Sequence, residues 1–177
     1  MRPSNRTAVL DAALRVLDRD GGAEISYDAT ARACGLTKAG VLYHFPTRDE
    51  LVRATVAHAA ARWDVAMRSR LGGPPQDASA ADRIRVYVLE SVHADLSPAD
   101  VAVFAEALYR PQHAAGWHEV FAPWFDLSDC EPDERSRLTL ARLAADGLWL
   151  ARATGLFAPE DVGGVLDEAL ALVGGPR

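Results

Sequence analysis

Apolar residues along this chain recur at three- and four-residue intervals, the period of one helical face, and nowhere settle into the two-residue alternation of a half-buried strand. Leu10, Ala13, Leu14 and Leu17 form one such stripe and predict a helix over residues 5–19, stopped by Gly21-Gly22. Ser26 caps a short helix over 27–34 that Gly35 ends, and Thr37 caps another over 38–45 that Pro46 breaks. Thr47-Arg48-Asp49-Glu50 has the spacing of a reciprocal capping box. It opens a long helix to Leu71, with Val52, Val56, Ala59, Trp63 and Met67 on the apolar stripe. After the breaker Gly72-Gly73-Pro74-Pro75, five more helices are expected over 80–95, 98–110, 114–126, 132–154 and 159–173. Pro98 and Pro159 are expected in first turns, where a missing N–H costs nothing. The fold class expected is all-α with about nine helices: a three-helix helix-turn-helix domain over residues 1–46, then a second helical domain over 47–177.

Charge sharpens this division. The net charge of −6 argues against a nucleic-acid binder that uses its whole surface. Residues 1–48, however, hold seven Lys or Arg against five Asp or Glu, whereas residues 49–177 hold twelve against twenty. DNA binding needs only a local basic face, and the N-terminal part permits one. No apolar run is long enough to span a membrane, and no apolar segment follows Arg2 and Arg6, so neither a membrane partner nor a signal peptide is expected. Cys34 and Cys130 stand apart in no metal-binding spacing, which fits a reducing cytoplasm, with Cys34 a small buried thiol.

The run from Ile25 to Leu51 resembles the DNA-binding signature of the TetR family, and the likeness covers residues 6–52 without a gap. Small Ala31, turn residue Gly35, hydroxyl cap Thr37, an aromatic cluster ending in Phe45, and basic Arg48 carry it. The resemblance implies that the third helix enters the major groove of double-stranded operator DNA. Thr37, Lys38, Ala39 and Gly40 lead there: Lys38 toward a guanine edge or phosphate, and Ala39 toward a thymine methyl. Ser26, Tyr27, Tyr43, His44 and Arg48 complete the implied DNA-binding set, the last three toward phosphates. Packing within the small domain is the competing reading for Tyr43 and His44. Family members usually carry the Tyr one position earlier, where this chain has Leu42, a shift of about 100° around the helix. A multidrug-sensing subgroup is similar in carrying a Tyr-His-Phe-Pro run.

The helix expected over 132–154 is apolar on two faces. One is Leu138, Ala141, Ala145 and Leu148; the other includes Leu140, Leu143, Gly147 and Leu150. With Val162, Leu166 and Ala169 of the last helix, the second face is expected to form a homodimer interface of four helices, the arrangement the family uses. Aromatics concentrate after residue 60, and Trp63, Met67, Tyr87, Ser91, Phe104, Trp117 and Phe121 are the candidates to line a cavity for a small lipophilic effector, cations included. Ordinary core packing competes at each aromatic. Asp95 and Glu106 are further polar candidates, whereas Asp146 is expected to form a surface pair with Arg142 four residues earlier.

His93, His113 and His118 show no metal spacing and are expected to be solvated. No phosphate loop and no acid–base constellation is legible, so neither a cofactor nor an enzymatic activity is expected. The function expected is a ligand-released dimeric repressor on a palindromic operator. The alternative is a helix-turn-helix regulator without a small-molecule effector, controlled by a protein partner or by its own abundance.

Overall fold

The computed structural model describes residues 5–21, 24–93 and 96–175. Nine α-helices lie in that described part: α1 (Asn5–Arg19), α2 (Tyr27–Cys34), α3 (Lys38–His44), α4 (Arg48–Leu71), α5 (Ala80–His93), α6 (Pro98–Tyr109), α7 (Ala115–Phe125), α8 (Pro132–Thr154) and α9 (Val162–Gly174). Two short 3-10 turns, Pro75–Asp77 and Pro111–His113, were not foreseen. Asp95, one of the polar candidates, lies outside the described residues, as does Gly22.

The helices fall into two compact units, residues 1–62 with 97–119 and residues 63–96 with 120–177. In the first, α1, α2, α3, the opening of α4, and α6 surround a core that includes Leu14, Ala31, Val41, Phe45, Val56 and Val103. Asp18 of α1 accepts the Ala99 amide at 2.9 Å, so one helix caps the start of another. Ser97 and Asp100 add a reciprocal capping box to that end of α6, with Pro98 in the first turn. Gly116 of α7 meets α4 so closely that a Cβ there would lie 2.6 Å from that of Ala57.

His113 corrects the expectation of a solvated ring. It is fully buried, with Nδ1 2.8 Å from Glu106 and Nε2 2.7 Å from Asp49. Its two acids stand 7 and 64 positions away, so nothing local foretold the cluster. Cys34 is only partly buried, its thiol donating to the Ala31 carbonyl, where a fully buried thiol was expected.

In the second unit α5, α8 and α9 pack around Ile84, Val88, Leu138, Ala141, Ala145 and Val173. Ala141 and Ala145 are small enough to bring α8 near its neighbours. Arginines tie the helix ends: Arg137 donates to the Leu172 carbonyl near the end of α9 at 2.7 Å, and Arg152 donates to the Val92 carbonyl near the end of α5. The start of α9 corrects the sequence reading. The helix begins at Val162, not Pro159, because Asp161 caps it by accepting the Gly164 amide at 2.8 Å.

Candidate functional site

The head of the first unit is built by caps. Ser26 accepts the Ala29 amide at 3.2 Å, Gly35 closes α2 at φ +72°, and Thr37 accepts the Gly40 amide at 3.1 Å. Each hydroxyl cap contributes about 1 kcal/mol and removes an orphan donor. Gly35 takes the left-handed conformation that side chains with a Cβ resist. The turn therefore sets where α3 begins.

α3 is anchored on one side and open on the other. Val41 is fully buried, and Phe45 just beyond the helix is 1% exposed; burying side chains of this size stabilises by about 1.5–3 kcal/mol each. Lys38 and Ala39 in the first turn of α3 are exposed, and Tyr43, on the side away from Val41, is 83% exposed. Tyr43 stands edge-on to His44, with ring centroids 5.3 Å apart. The Leu42-Tyr43 order thus leaves the aromatic hydroxyl free of the core.

Three of the implied DNA-binding side chains already have partners within the chain. Lys38 Nζ lies 3.1 Å from Asp28 on α2. Tyr27 donates its hydroxyl to the Phe45 carbonyl at 2.8 Å, locking α2 to the end of α3. Burial, then the nearby Glu50 carboxylate, raises the Tyr27 phenol above its ordinary range, so it remains a donor. Arg48 donates to the Ile25 carbonyl at 3.1 Å and pairs with Glu24. Sequence reasoning passed over Arg6, whose guanidinium sits 4.8 Å above the Phe45 ring at the end of α3. At the start of α4, Thr47 accepts the Glu50 amide at 3.2 Å, one half of the predicted box.

The two faces of α8 separate as the apolar pattern predicts. Leu138, Ala141, Ala145 and Leu148 are buried, whereas Leu140, Leu143 and Leu150 are 55%, 50% and 47% exposed and Gly147 is open. On α9 the assignment changes. Ala169 is 2% exposed, Leu166 is partly buried against the core of the same unit, and Val165 is exposed.

The ligand candidates are divided between the units. Phe104 is partly exposed on α6, and Trp117 packs against the core of the first unit. Trp63, Met67, Tyr87, Ser91 and Phe121 belong to the second. There Tyr87 stands edge-on to Phe125 at 4.8 Å and to Phe121 at 6.1 Å. Phe121 and Phe125 stack at 5.5 Å, and Trp63 tilts toward Phe121 at 6.5 Å. Met67 is fully buried, and so is Ser91.

Asp146 corrects the expectation of a plain surface pair. Arg142 does reach it at 3.0 Å, but its other oxygen accepts the Tyr87 hydroxyl at 2.5 Å. Burial, then the Asp146 charge, pushes the Tyr87 phenol far up, which keeps it a donor to that carboxylate. Phe125 is one of the aromatics after residue 60 that the sequence offers but that was not among the chosen ligand residues. Its spacing of four from Phe121 was the available signal. A separate open groove of about 920 Å³ in the second unit is lined by Arg83, Pro123, Asp126, Cys130 and Glu134 among others, and by none of these aromatics.

Two family models match the chain: "Bacterial regulatory proteins, tetR family" over residues 9–55 and "Tetracyclin repressor-like, C-terminal domain" over residues 81–174. The HTH-type transcriptional regulator BetI of Paraburkholderia xenovorans is 26% identical over 166 residues, covering 86% of this chain and 84% of its own. Among solved structures, a member of the TetR family from Streptomyces coelicolor is similar with a TM-score of 0.64 and 23% identity, over 96% of this chain and 98% of that one. The multidrug binding protein EbrR, complexed with ethidium, is similar with a TM-score of 0.63 and 23% identity, over 97% and 99%.

Proposed function

This chain belongs to the TetR family of DNA-binding transcriptional regulators, which are not enzymes, and from that premise we propose that it is a cytoplasmic homodimeric repressor released from a palindromic operator by a small lipophilic ligand, cations included. The observation that carries the DNA-binding part is the one-sided burial of α3. Val41 and Phe45 fix it to the head, and Lys38, Ala39 and Tyr43 are exposed. Thr37, Lys38, Ala39 and Gly40 meet base edges, while Tyr43, His44 and Arg48 meet phosphates. Ser26 and Tyr27 act one step back, by holding α2 and α3 in place.

Residues 1–46 serve as the DNA-binding head, and residues 47–177 carry effector binding and dimerisation. The exposed leucines of α8, with Val162 and Val165 of α9, form the two-fold interface. The aromatic cluster of the second unit takes the effector. EbrR, a multidrug binding protein of the same fold seen with ethidium, proflavin and malachite green, supports this assignment. Among the described residues no helix is long and apolar enough to cross a membrane, in keeping with a regulator that works on DNA. α4 contains residues of both units and is the natural lever between ligand and head. A ligand shifts such an equilibrium only by its difference in affinity for the two states.

A gel-shift titration on the DNA flanking the coding sequence, with and without ethidium, tests this reading. Specific binding that ethidium releases is the expected result. Specific binding that neither ethidium nor neutral lipophiles release removes the effector. No specific binding at low salt removes the repressor.

A further inference from the structure

The aromatic cluster of the second unit already holds a cation, and it is the protein's own. The Arg142 guanidinium lies 5.2 Å above the Phe125 ring and places Nη1 3.0 Å from Asp146 Oδ2. A ring face and a carboxylate converging on one flat cation are the two elements by which proteins bind organic cations. We infer that Arg142 occupies the place that the charged part of a planar organic cation takes, and that it competes with such a ligand for Asp146 and Phe125. This rests on the effector-binding reading above and adds the ligand's charge class and the residue that sets its affinity.

The receiving groups are fixed independently of Arg142. Tyr87 donates to the other Asp146 oxygen at 2.5 Å, and Phe121 and Phe125 hold the Tyr87 ring edge-on. The carboxylate therefore stays aimed when the guanidinium leaves. Ser91, one turn beyond Tyr87 on α5, is fully buried beside that phenol and interacts with it.

The departing group is loosely held. The Arg142 and Asp146 side chains are 30% and 36% exposed, and pairs this open to water hold weakly. The flexible arginine stem lets its head move into solvent, where it is readily hydrated. An anion entering here meets Asp146, and a neutral ligand gains nothing from taking the guanidinium's place. The site so arranged selects flat cations, and Arg142 raises the concentration at which they bind.

Fluorescence titration of the full chain with ethidium, and in parallel with the neutral probe N-phenyl-1-naphthylamine, tests this. Arg142→Gln is expected to bind ethidium on the order of tenfold tighter than the parent, and Asp146→Asn on the order of tenfold weaker. The neutral probe is expected to respond to neither. Ethidium affinity that is unchanged or weaker in Arg142→Gln overturns the inference and leaves the effector reading intact. If the parent binds only the neutral probe, the inference also falls and the effector reading survives; if neither probe binds, both fall. Should Arg142→Gln fail to fold, Arg142→Met keeps the unbranched apolar stem and loses the charge. Tighter ethidium binding by that variant supports the competition, and unchanged binding overturns it.

Discussion

A single lysine and its partner carry much of the chemistry proposed at the DNA face. Lys38 and Asp28 are both more than half exposed, so their pair contributes little to folding. Lys38→Ala is therefore expected to leave the thermal midpoint nearly unchanged while weakening operator binding by about 1–3 kcal/mol, the worth of a good base-edge contact. Asp28→Asn is expected to tighten binding, because it frees Lys38 and removes a negative charge from beside the phosphates. Both are read by gel shift at fixed salt. His113 is the opposite case, a fully buried ring facing two carboxylates. His113→Leu leaves Glu106 and Asp49 without that partner and is expected to cost about 1–3 kcal/mol in denaturant unfolding. The sequence showed Lys38 clearly, because its role follows from its position after a cap. His113 was opaque, because its partners come from elements distant in the chain.

Between elements, close approach decides what is tolerated. A Cβ at Gly116 lies 2.6 Å from that of Ala57 on α4, and neither atom belongs to a flexible side chain. Gly116→Val is expected to lower stability by about 1–3 kcal/mol, as overpacking does, with a matching fall in denaturant midpoint. Sequence alone offers no reason to protect this glycine, which looks like any small residue near a helix start. The start of α9 teaches a related lesson. Pro159 is a reasonable first-turn residue by propensity, but the Asp161 carboxylate satisfies the Gly164 amide and delays the helix. Within that helix Ala169 is buried and Val165 is exposed.

For the whole molecule, the exposed leucine stripe of α8 is the feature that calls for a partner. Leu140, Leu143 and Leu150 are each about half exposed on a helix whose other face is fully buried. Each substitution in a two-fold interface acts twice, and burying a leucine is worth about 1.5–3 kcal/mol. Leu143→Glu is accordingly expected to yield a folded monomer in sedimentation, with intact helicity by circular dichroism and greatly weakened operator binding. A dimer that persists removes Leu143 from the interface.

What the sequence determined by itself is the local and periodic part. The helices, their caps at Ser26 and Thr37, the left-handed turn at Gly35, the order of the head and the two-faced α8 all follow from interactions a few residues apart. Capping and the 3.6-residue period act within one or two turns, so a linear reading recovers them. Only tertiary structure decided what those helices bring together. It enclosed His113 between two acids, joined Tyr87 to Asp146 across 59 positions, laid Arg142 over Phe125, and divided the predicted ligand residues between two units. Packing chooses those partners by shape and by the need to satisfy buried polar groups, and neither leaves a periodic trace along the chain.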